Sequence, residues 1–171
     1  MTKFGVNTLL QSDTAANTIP SGAIGFNAPE RIEFAKGWID DAASIGSQVI
    51  RYPGDWIGLE GAGKGQFSAD YVAETVAVIE YAASKGIEVI YEFGQTPPWA
   101  RPAGIDAGSF TRPEDPQDFA DAVAYLHQQF VTAGVADNIS GWEIWNEPNA
   151  NLGWPTGTYR NPLNENQGID P

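Results

Sequence analysis

Residues 68–93, SADYVAETVAVIEYAASKGIEVIYEF, contain the pattern that decides the fold. Ser68 is suited to cap a helix that runs to about Lys85, since apolar residues recur at helical spacing after it and Gly86 stands where the helix should end. The run Ile87–Phe93 then predicts a strand. A helix that leads directly into a strand supplies two of the three elements of a β-α-β unit.

The same alternation extends along the rest of the 171 residues. Predicted strands are Lys3–Asn7, Ser47–Tyr52, Ile87–Phe93 and Ser140–Asn146, and predicted helices are Glu30–Ile45, Ser68–Lys85 and Asp115–Ala133. Pro53-Gly54 should end the second strand, and the glycine-rich stretch Gly58–Gly65 should break regular structure. Strands separated by helices of about 15 residues predict a parallel α/β sheet in a single domain, followed by an irregular tail over residues 150–171.

The number of predicted strands suggests the architecture. A (β/α)8 barrel needs eight strands and typically about 250 residues. Four strands therefore predict the first four β/α units of such a barrel, an incomplete barrel, with a small open α/β sheet as the alternative. The glycines at 22 and 25 do not fit G-x-G-x-x-G, and residues 61–65 lack the Gly-Lys-Ser/Thr ending, so neither loop predicts a nucleotide site.

Composition narrows the class of ligand. The net charge is −13, which argues against nucleic acid and anionic membranes and favours a neutral partner such as a sugar. There is no cysteine, and His127 is the only histidine, so we predict no metal site and no Ser-His-Asp triad. We find neither an apolar stretch long enough to span a membrane nor a secretory signal, which leaves both a secreted and a cytoplasmic location open.

Functional-looking residues stand where the predicted strands end. The carboxyl ends of parallel strands form one face of a barrel, and Arg51, Glu92 and Glu147 all stand there. The octapeptide at 142–149, WEIWNEPN, places Glu147 at the mouth of the fourth strand, next to a proline. Desolvation there should raise its pKa, so that Glu147 could protonate a leaving oxygen. The alternative is a carboxylate that caps a helix or a turn.

WEIWNEPN resembles the strand-four signature of clan A glycoside hydrolases, which are (β/α)8 barrels. The resemblance implies that Glu147 is the general acid/base, that Asn146 binds the sugar 2-hydroxyl and that Arg51 supports the nucleophile. EFGQTPPW at 92–99 resembles the strand-three end of the family-39 type, which acts on xylosides and related β-glycosides. The resemblance to the clan also implies that O-glycosyl bonds are hydrolysed with retention and that no metal or organic cofactor is needed.

The clan's nucleophile is a glutamate at the end of strand seven, and no seventh strand is predicted here. We therefore expect little turnover from these residues alone. Glu92 would approach a sugar from the same side as Glu147, so it is predicted to hydrogen-bond substrate, or to support a residue that does, rather than to act as the nucleophile. Trp56, Trp99 and Trp154 are predicted to stack on sugars, since aromatic rings combine apolar area with a polar edge.

Three other residues near these elements are predicted to have structural roles. Trp38 should lie in the core, Trp142 should pack between the sheet and a helix, and Asp55 should be a turn residue on a loop. A different function also remains open. Unpaired edges on the first and fourth strands could join a second half-barrel, which would make the chain a non-catalytic carbohydrate-binding or assembly module.

Overall fold

The structure, a computed structural model, describes residues 5–7, 28–103, 111–146 and 148. The strands in these residues are β1 Gly5–Asn7, β2 Val49–Asp55, β3 Glu88–Gly94 and β4 Ile139–Ile144. The helices are α1 Ala28–Ser44, α2 Trp56–Glu60, α3 Ala69–Ser84 and α4 Pro116–Ala133. Each strand pairs in parallel with the next one in sequence, in the order β1-β2-β3-β4, which confirms the predicted α/β class.

α3 and α4 begin and end within one residue of their predicted ends, whereas α1 begins two residues before its predicted start and α2 was not predicted. The Ser68 hydroxyl accepts a hydrogen bond from the Tyr71 N–H at 3.2 Å, and the Asp115 carboxylate accepts one from the Gln117 N–H at 2.9 Å. Gly134 ends α4 with φ at 76°, a left-handed conformation that glycine adopts at little cost. Both long helices on either side of β3 therefore have the caps that their sequences predicted.

The prediction that Pro53-Gly54 ends the second strand is wrong. β2 continues to Asp55, and Pro53 pairs with Glu92 of β3. Among the described residues, β1 pairs with β2 only as far as Arg51, so beyond this point the ladder runs to β3 alone. A residue without an N–H is tolerated where one side of a strand has no partner.

The prediction that Asp55 is a turn residue on a loop is wrong, because Asp55 ends β2 and caps α2. Its carboxylate accepts a hydrogen bond from the Ile57 N–H at 2.8 Å, and its own N–H donates to the Tyr71 hydroxyl at 2.6 Å. The glycine-rich stretch is consequently helical at its start, since Gly58 lies within α2. A side-chain cap thus starts a helix where the glycines predicted a break.

The other differences are small and concern the ends of elements. Two 3-10 turns, Pro98–Ala100 and Ala136–Asn138, were not predicted. β4 ends at Ile144, two residues earlier than predicted, because Trp145 has a left-handed backbone. The predicted tail over residues 150–171 lies outside the described residues.

The hydrophobic core lies between the sheet and the helices. In β3, Val89, Tyr91 and Phe93 are fully buried and pack with apolar residues of α3 and α4. The Trp142 ring packs on Phe130 of α4 with 5.9 Å between centroids, which confirms its predicted position. Because side chains alternate along a strand, Glu92 faces away from this core. The helices therefore cover one face of the sheet and leave the polar residues on the other.

Three further observations concern the helices. His127 is exposed on α4, as predicted, and its ring lies 6.1 Å from that of Trp142. Trp38 is only half-buried, with its ring 5.6 Å from that of Phe34, so the prediction of a core position holds only in part. No helix in the described ranges is both long and apolar enough to cross a membrane.

Replacing Gly54 by alanine is expected to destabilise the protein by roughly 1 to 3 kcal/mol. A Cβ at this position would lie 2.5 Å from Cε1 of Tyr91, whose ring is fully buried and cannot move aside. Gly37 offers a matched control in α1, since a Cβ there meets no heavy atom within 4 Å. Gly37→Ala should stabilise the helix by about 0.5 to 1 kcal/mol. Urea unfolding measures both, and equal effects of the two variants would contradict this packing.

Candidate active site

The polar groups of the sheet gather at the carboxyl ends of β2, β3 and β4. Glu92 of β3 pairs with Pro53 of β2 on one side and with Glu143 of β4 on the other. Arg51 stands two residues before Pro53, so alternation places its side chain on the same face as Glu92 and Glu143. One guanidinium and two carboxyl groups from three neighbouring strands therefore share this face.

Arg51 forms the centre of a hydrogen-bond network. Its Nε donates to Glu143 Oε2 at 2.6 Å and its Nη2 donates to Glu143 Oε1 at 2.9 Å, a bidentate ion pair. The same Nη2 donates to Asn146 Oδ1, also at 2.9 Å. The hydrogen bonds from Arg51 hold the pKa of Glu143 below its ordinary value, so Glu143 is ionised at neutral pH.

Asn146 reaches Arg51 because the chain changes direction at Trp145. Strict alternation would place positions 143 and 146 on opposite faces of the sheet. Trp145 instead has φ at 70°, in the left-handed region, and its N–H donates to the Phe93 carbonyl at 2.9 Å. Its indole is buried and packs on Phe119 of α4, with 5.9 Å between ring centroids. Packing on both sides thus fixes a backbone conformation that costs about 1 kcal/mol or more.

β3, the strand next to β4, is also followed by a residue with a left-handed backbone. Gln95 follows β3 directly and has φ at 68°, and together with Trp145 it accounts for the non-glycine residues with positive φ in the described ranges. Such conformations cluster at functional sites, where the surrounding structure holds them. Gly94 leaves room between the two turns, since a Cβ there would lie 3.3 Å from both the Trp145 ring and Glu92 Oε1.

Glu92 is the buried carboxyl group of this face. It is 6% exposed, and neither of its oxygens forms a hydrogen bond with the described residues. Burial raises the pKa of Glu92 to about 7, the nearby Arg51 charge opposes this shift, and the charges of Glu143 and Asp55 add to it. Glu92 therefore exchanges its proton near neutral pH, whereas Glu143 does not.

The predicted aromatic contacts differ in their positions. Trp56 is fully buried, and its indole N–H donates to Glu60 Oε2 at 2.7 Å. It offers no ring face to a ligand, so its position does not support the predicted sugar contact. Trp99 is half-buried, donates to the Glu60 carbonyl at 2.7 Å and packs edge-on against Trp56. Its contact with a sugar stays a prediction.

Two of the predicted residues, Glu147 and Trp154, lie outside the described residues. The structure describes the residues on either side of Glu147, of which Asn146 takes part in the arginine network. In the described part of the chain, no group of three histidine, aspartate or glutamate residues could hold a metal ion.

Sequence reasoning missed Glu143 as a member of this site. The signal was present, because a carboxylate within an apolar strand requires a partner. The partner, Arg51, is 92 residues away in sequence, and only the pairing of β2, β3 and β4 brings the two together.

Solved structures with a similar fold are glycosidases. A family 39 glycoside hydrolase from the gut symbiont Bacteroides cellulosilyticus WH2 has a TM-score of 0.56 and 20% identity, covering 86% of this chain and 25% of that one. The exo-β-1,4-mannosidase Op5Man5 from Opitutaceae bacterium strain TAV5 has a TM-score of 0.57 and 18% identity, with coverages of 86% and 25%. β-Glucosidase 1317 has a TM-score of 0.56 and 22% identity, covering 70% of this chain and 28% of that one.

The chain thus spans about a quarter of the length of these structures. They are (β/α)8-barrel enzymes, and the parallel sheet with its outer helices corresponds to part of such a barrel, which confirms the predicted fold class. No relative was found among curated proteins.

The family itself is established by a match to the cellulase family, glycosyl hydrolase family 5, over residues 16–167. This match confirms the predicted membership of the clan A glycoside hydrolases, and the family-39 likeness is represented among the similar structures. The chain therefore belongs to the cellulase family of glycoside hydrolases, family 5.

Proposed function

We propose that this chain supplies the acid/base side of a retaining β-glycosidase site. Glu147 is the general acid that protonates the glycosidic oxygen and later the base that activates water. Asn146 binds the 2-hydroxyl of the sugar, and Arg51 orients Asn146 and keeps Glu143 ionised. The ligand is a carbohydrate, and the bond that breaks joins its anomeric carbon to the leaving oxygen.

The observation that supports this proposal is the hydrogen bond from Arg51 Nη2 to Asn146 Oδ1. Arginine can only donate, so this contact fixes which end of the Asn146 amide is the oxygen. The amide nitrogen then points away from Arg51 and has two protons to donate to a sugar hydroxyl oxygen. A fixed donor immediately before Glu147 is what a 2-hydroxyl contact requires.

The retaining mechanism needs a second carboxylate about 5 to 5.5 Å away, across the scissile bond. Glu143 is occupied by its ion pair with Arg51, and Glu92 belongs to the strand next to β4. Because both lie on β4 or on the strand beside it, we expect neither to lie across the scissile bond from Glu147. We therefore assign the nucleophile to a glutamate on the seventh strand of the barrel, as the resemblance to the clan implies, and expect little turnover from residues 1–171 alone.

The stereochemistry of the product tests this function. The protein produced from its complete gene is incubated with p-nitrophenyl β-D-glucoside and β-D-mannoside, and proton NMR follows the first sugar released. Double displacement predicts that the β-anomer forms first and the α-anomer later by mutarotation. Release of the α-anomer first, or no hydrolysis of any β-glycoside, would contradict the proposal.

A further inference from the structure

Glu92 has an unusual combination of burial and charge surroundings. Its carboxyl group is 6% exposed and has no hydrogen bond to the described residues. Oε1 lies beside Gly94, where the strand end meets the Trp145 ring. The Glu92 oxygens are not among the fully buried atoms that lack a hydrogen bond, so a ligand or water can still reach them.

The charges that face Glu92 come from the two neighbouring strands. β2 contributes Arg51 and Asp55, and β4 contributes Glu143. The guanidinium of Arg51 is engaged with both oxygens of Glu143 and with Asn146. Among the described residues, Arg51 is therefore the cation that acts on three carboxyl groups, those of Glu92, Glu143 and Asp55. It forms its ion pair with Glu143.

Neutrality is the physical consequence for Glu92. An ionised carboxylate at this position would be desolvated and would lack hydrogen-bond donors, and the attraction of Arg51 only partly offsets this cost, since Glu143 and Asp55 repel the same charge. A protonated carboxyl group avoids these costs and has one O–H to donate. The direction of the pKa shift, upward to about 7, agrees with this geometry.

We infer that Glu92 recognises a sugar ligand as a neutral carboxyl group, by donating its O–H to a hydroxyl oxygen of the sugar. This inference rests on the proposed carbohydrate site. It assigns Glu92 a role in specificity that differs from acid/base catalysis, because its proton stays on the carboxyl group throughout. An ionised Glu92 could only accept hydrogen bonds from the sugar. Binding through the protonated form should therefore weaken as pH rises, whereas binding through the ionised form should strengthen.

The direction of the pH effect follows from the fraction of the protein in which Glu92 is protonated. If only the protonated form of Glu92 binds, the apparent affinity is constant at low pH and falls as pH rises through the pKa of Glu92, which is about 7. One unit above this pKa, the protonated fraction is about one tenth, so the affinity should be about tenfold weaker.

Binding is measured in a Glu147→Gln background, in the protein from the complete gene, with methyl β-D-mannoside and methyl β-D-glucoside as probes, because methanol is a poor leaving group that departs only when it is protonated. This substitution keeps the probe intact and removes the titration of Glu147 from the measurement. Calorimetry at pH 5, 6, 7 and 8 is then compared for this background and for the same background with Glu92→Gln or Glu92→Leu.

Glutamine has a neutral N–H donor at the same position, so Glu92→Gln should keep the low-pH affinity at every pH. Leucine has a similar size and no donor, so Glu92→Leu should bind about tenfold more weakly at every pH. If Glu92→Leu does not fold, the comparison with Glu92→Gln alone decides.

Affinity that is independent of pH or that rises with pH would overturn the inference, as would weak binding by Glu92→Gln. Absence of probe binding at every pH would overturn it as well. The role of Glu147 is judged separately by hydrolysis in the otherwise unchanged protein, so the two proposals can fail independently.

Discussion

Replacing Glu147 by glutamine is expected to lower kcat/KM for phenyl β-glycosides by about 10²- to 10⁴-fold. Glutamine preserves the size of the side chain but has no proton to give to the leaving oxygen. Phenol is a poor leaving group, with a pKa near that of tyrosine, about 10, so its departure depends on protonation. The measurement is phenol release by the protein from its complete gene.

The matched control is Glu80→Gln, the same chemical change at an exposed position of α3. It removes one negative charge from the surface and should leave kcat/KM within about twofold of the starting protein. If Glu147→Gln retained full activity, or if Glu80→Gln lost as much, Glu147 would not be the acid/base.

Replacing Arg51 by methionine is expected to destabilise the protein and to slow catalysis together. The substitution removes both hydrogen bonds to Glu143 and the one to Asn146. Removing one partner of an enclosed ion pair costs about 3 to 5 kcal/mol, but the Glu143 side chain is 42% exposed and water can solvate it. We therefore expect a loss of roughly 2 kcal/mol at pH 7.

The effect of Arg51→Met on stability should depend on pH in one direction. Arg51 lowers the pKa of Glu143, so the stabilisation is present above the unfolded pKa of a glutamate, about 4.3, and is lost as pH falls through the lower folded value. Arg51 also opposes the upward pKa shift of Glu92, so its removal adds a further cost near neutral pH. The difference between the two proteins in urea unfolding should be largest at pH 7 and above, should shrink somewhat as Glu92 becomes protonated below pH 7, and should shrink further as pH falls below about 4.

Catalysis should fall by about 10²-fold in Arg51→Met, because Asn146 loses the hydrogen bond that orients its amide. Arg31→Met is a close control: Arg31 also makes a bidentate pair with a glutamate, Glu74, but it joins α1 to α3 on the other face of the sheet. It should lose stability and keep its kinetic constants. Equal activity of the two variants would show that the arginine network has no part in the site.

Much of the fold follows from short-range signals in the sequence. The caps at Ser68 and Asp115 and the glycine after α4 are local features, and each fixes the end of a helix by its own hydrogen bonds or backbone conformation. The extension of β2 through Pro53 could not be predicted in this way. Whether a proline is tolerated in a strand depends on which neighbouring strand is present at that point, and this is a property of the sheet.

The candidate site likewise has one part that could be predicted from contiguous residues and another that could not. The octapeptide around Glu147 identifies the clan because its residues are contiguous. The network of Arg51, Glu143 and Asn146 is not contiguous, and it depends on the left-handed backbone of Trp145, a conformation that a tryptophan adopts only when its surroundings hold it. The burial of Trp56 likewise follows from tertiary packing around Glu60.

The most direct test of whether Glu147 is the general acid is how the loss of kcat/KM in Glu147→Gln depends on the acidity of the leaving group. kcat/KM is measured for Glu147→Gln and for the unchanged protein with phenyl and with 2,4-dinitrophenyl β-glycosides, since 2,4-dinitrophenol is acidic enough to leave without a proton. We predict a loss of about 10²- to 10⁴-fold for the phenyl glycoside and a loss of less than about tenfold for the dinitrophenyl glycoside. Equal losses for both substrates would contradict this role, because Glu147 would then act on a step that does not involve protonation of the leaving oxygen.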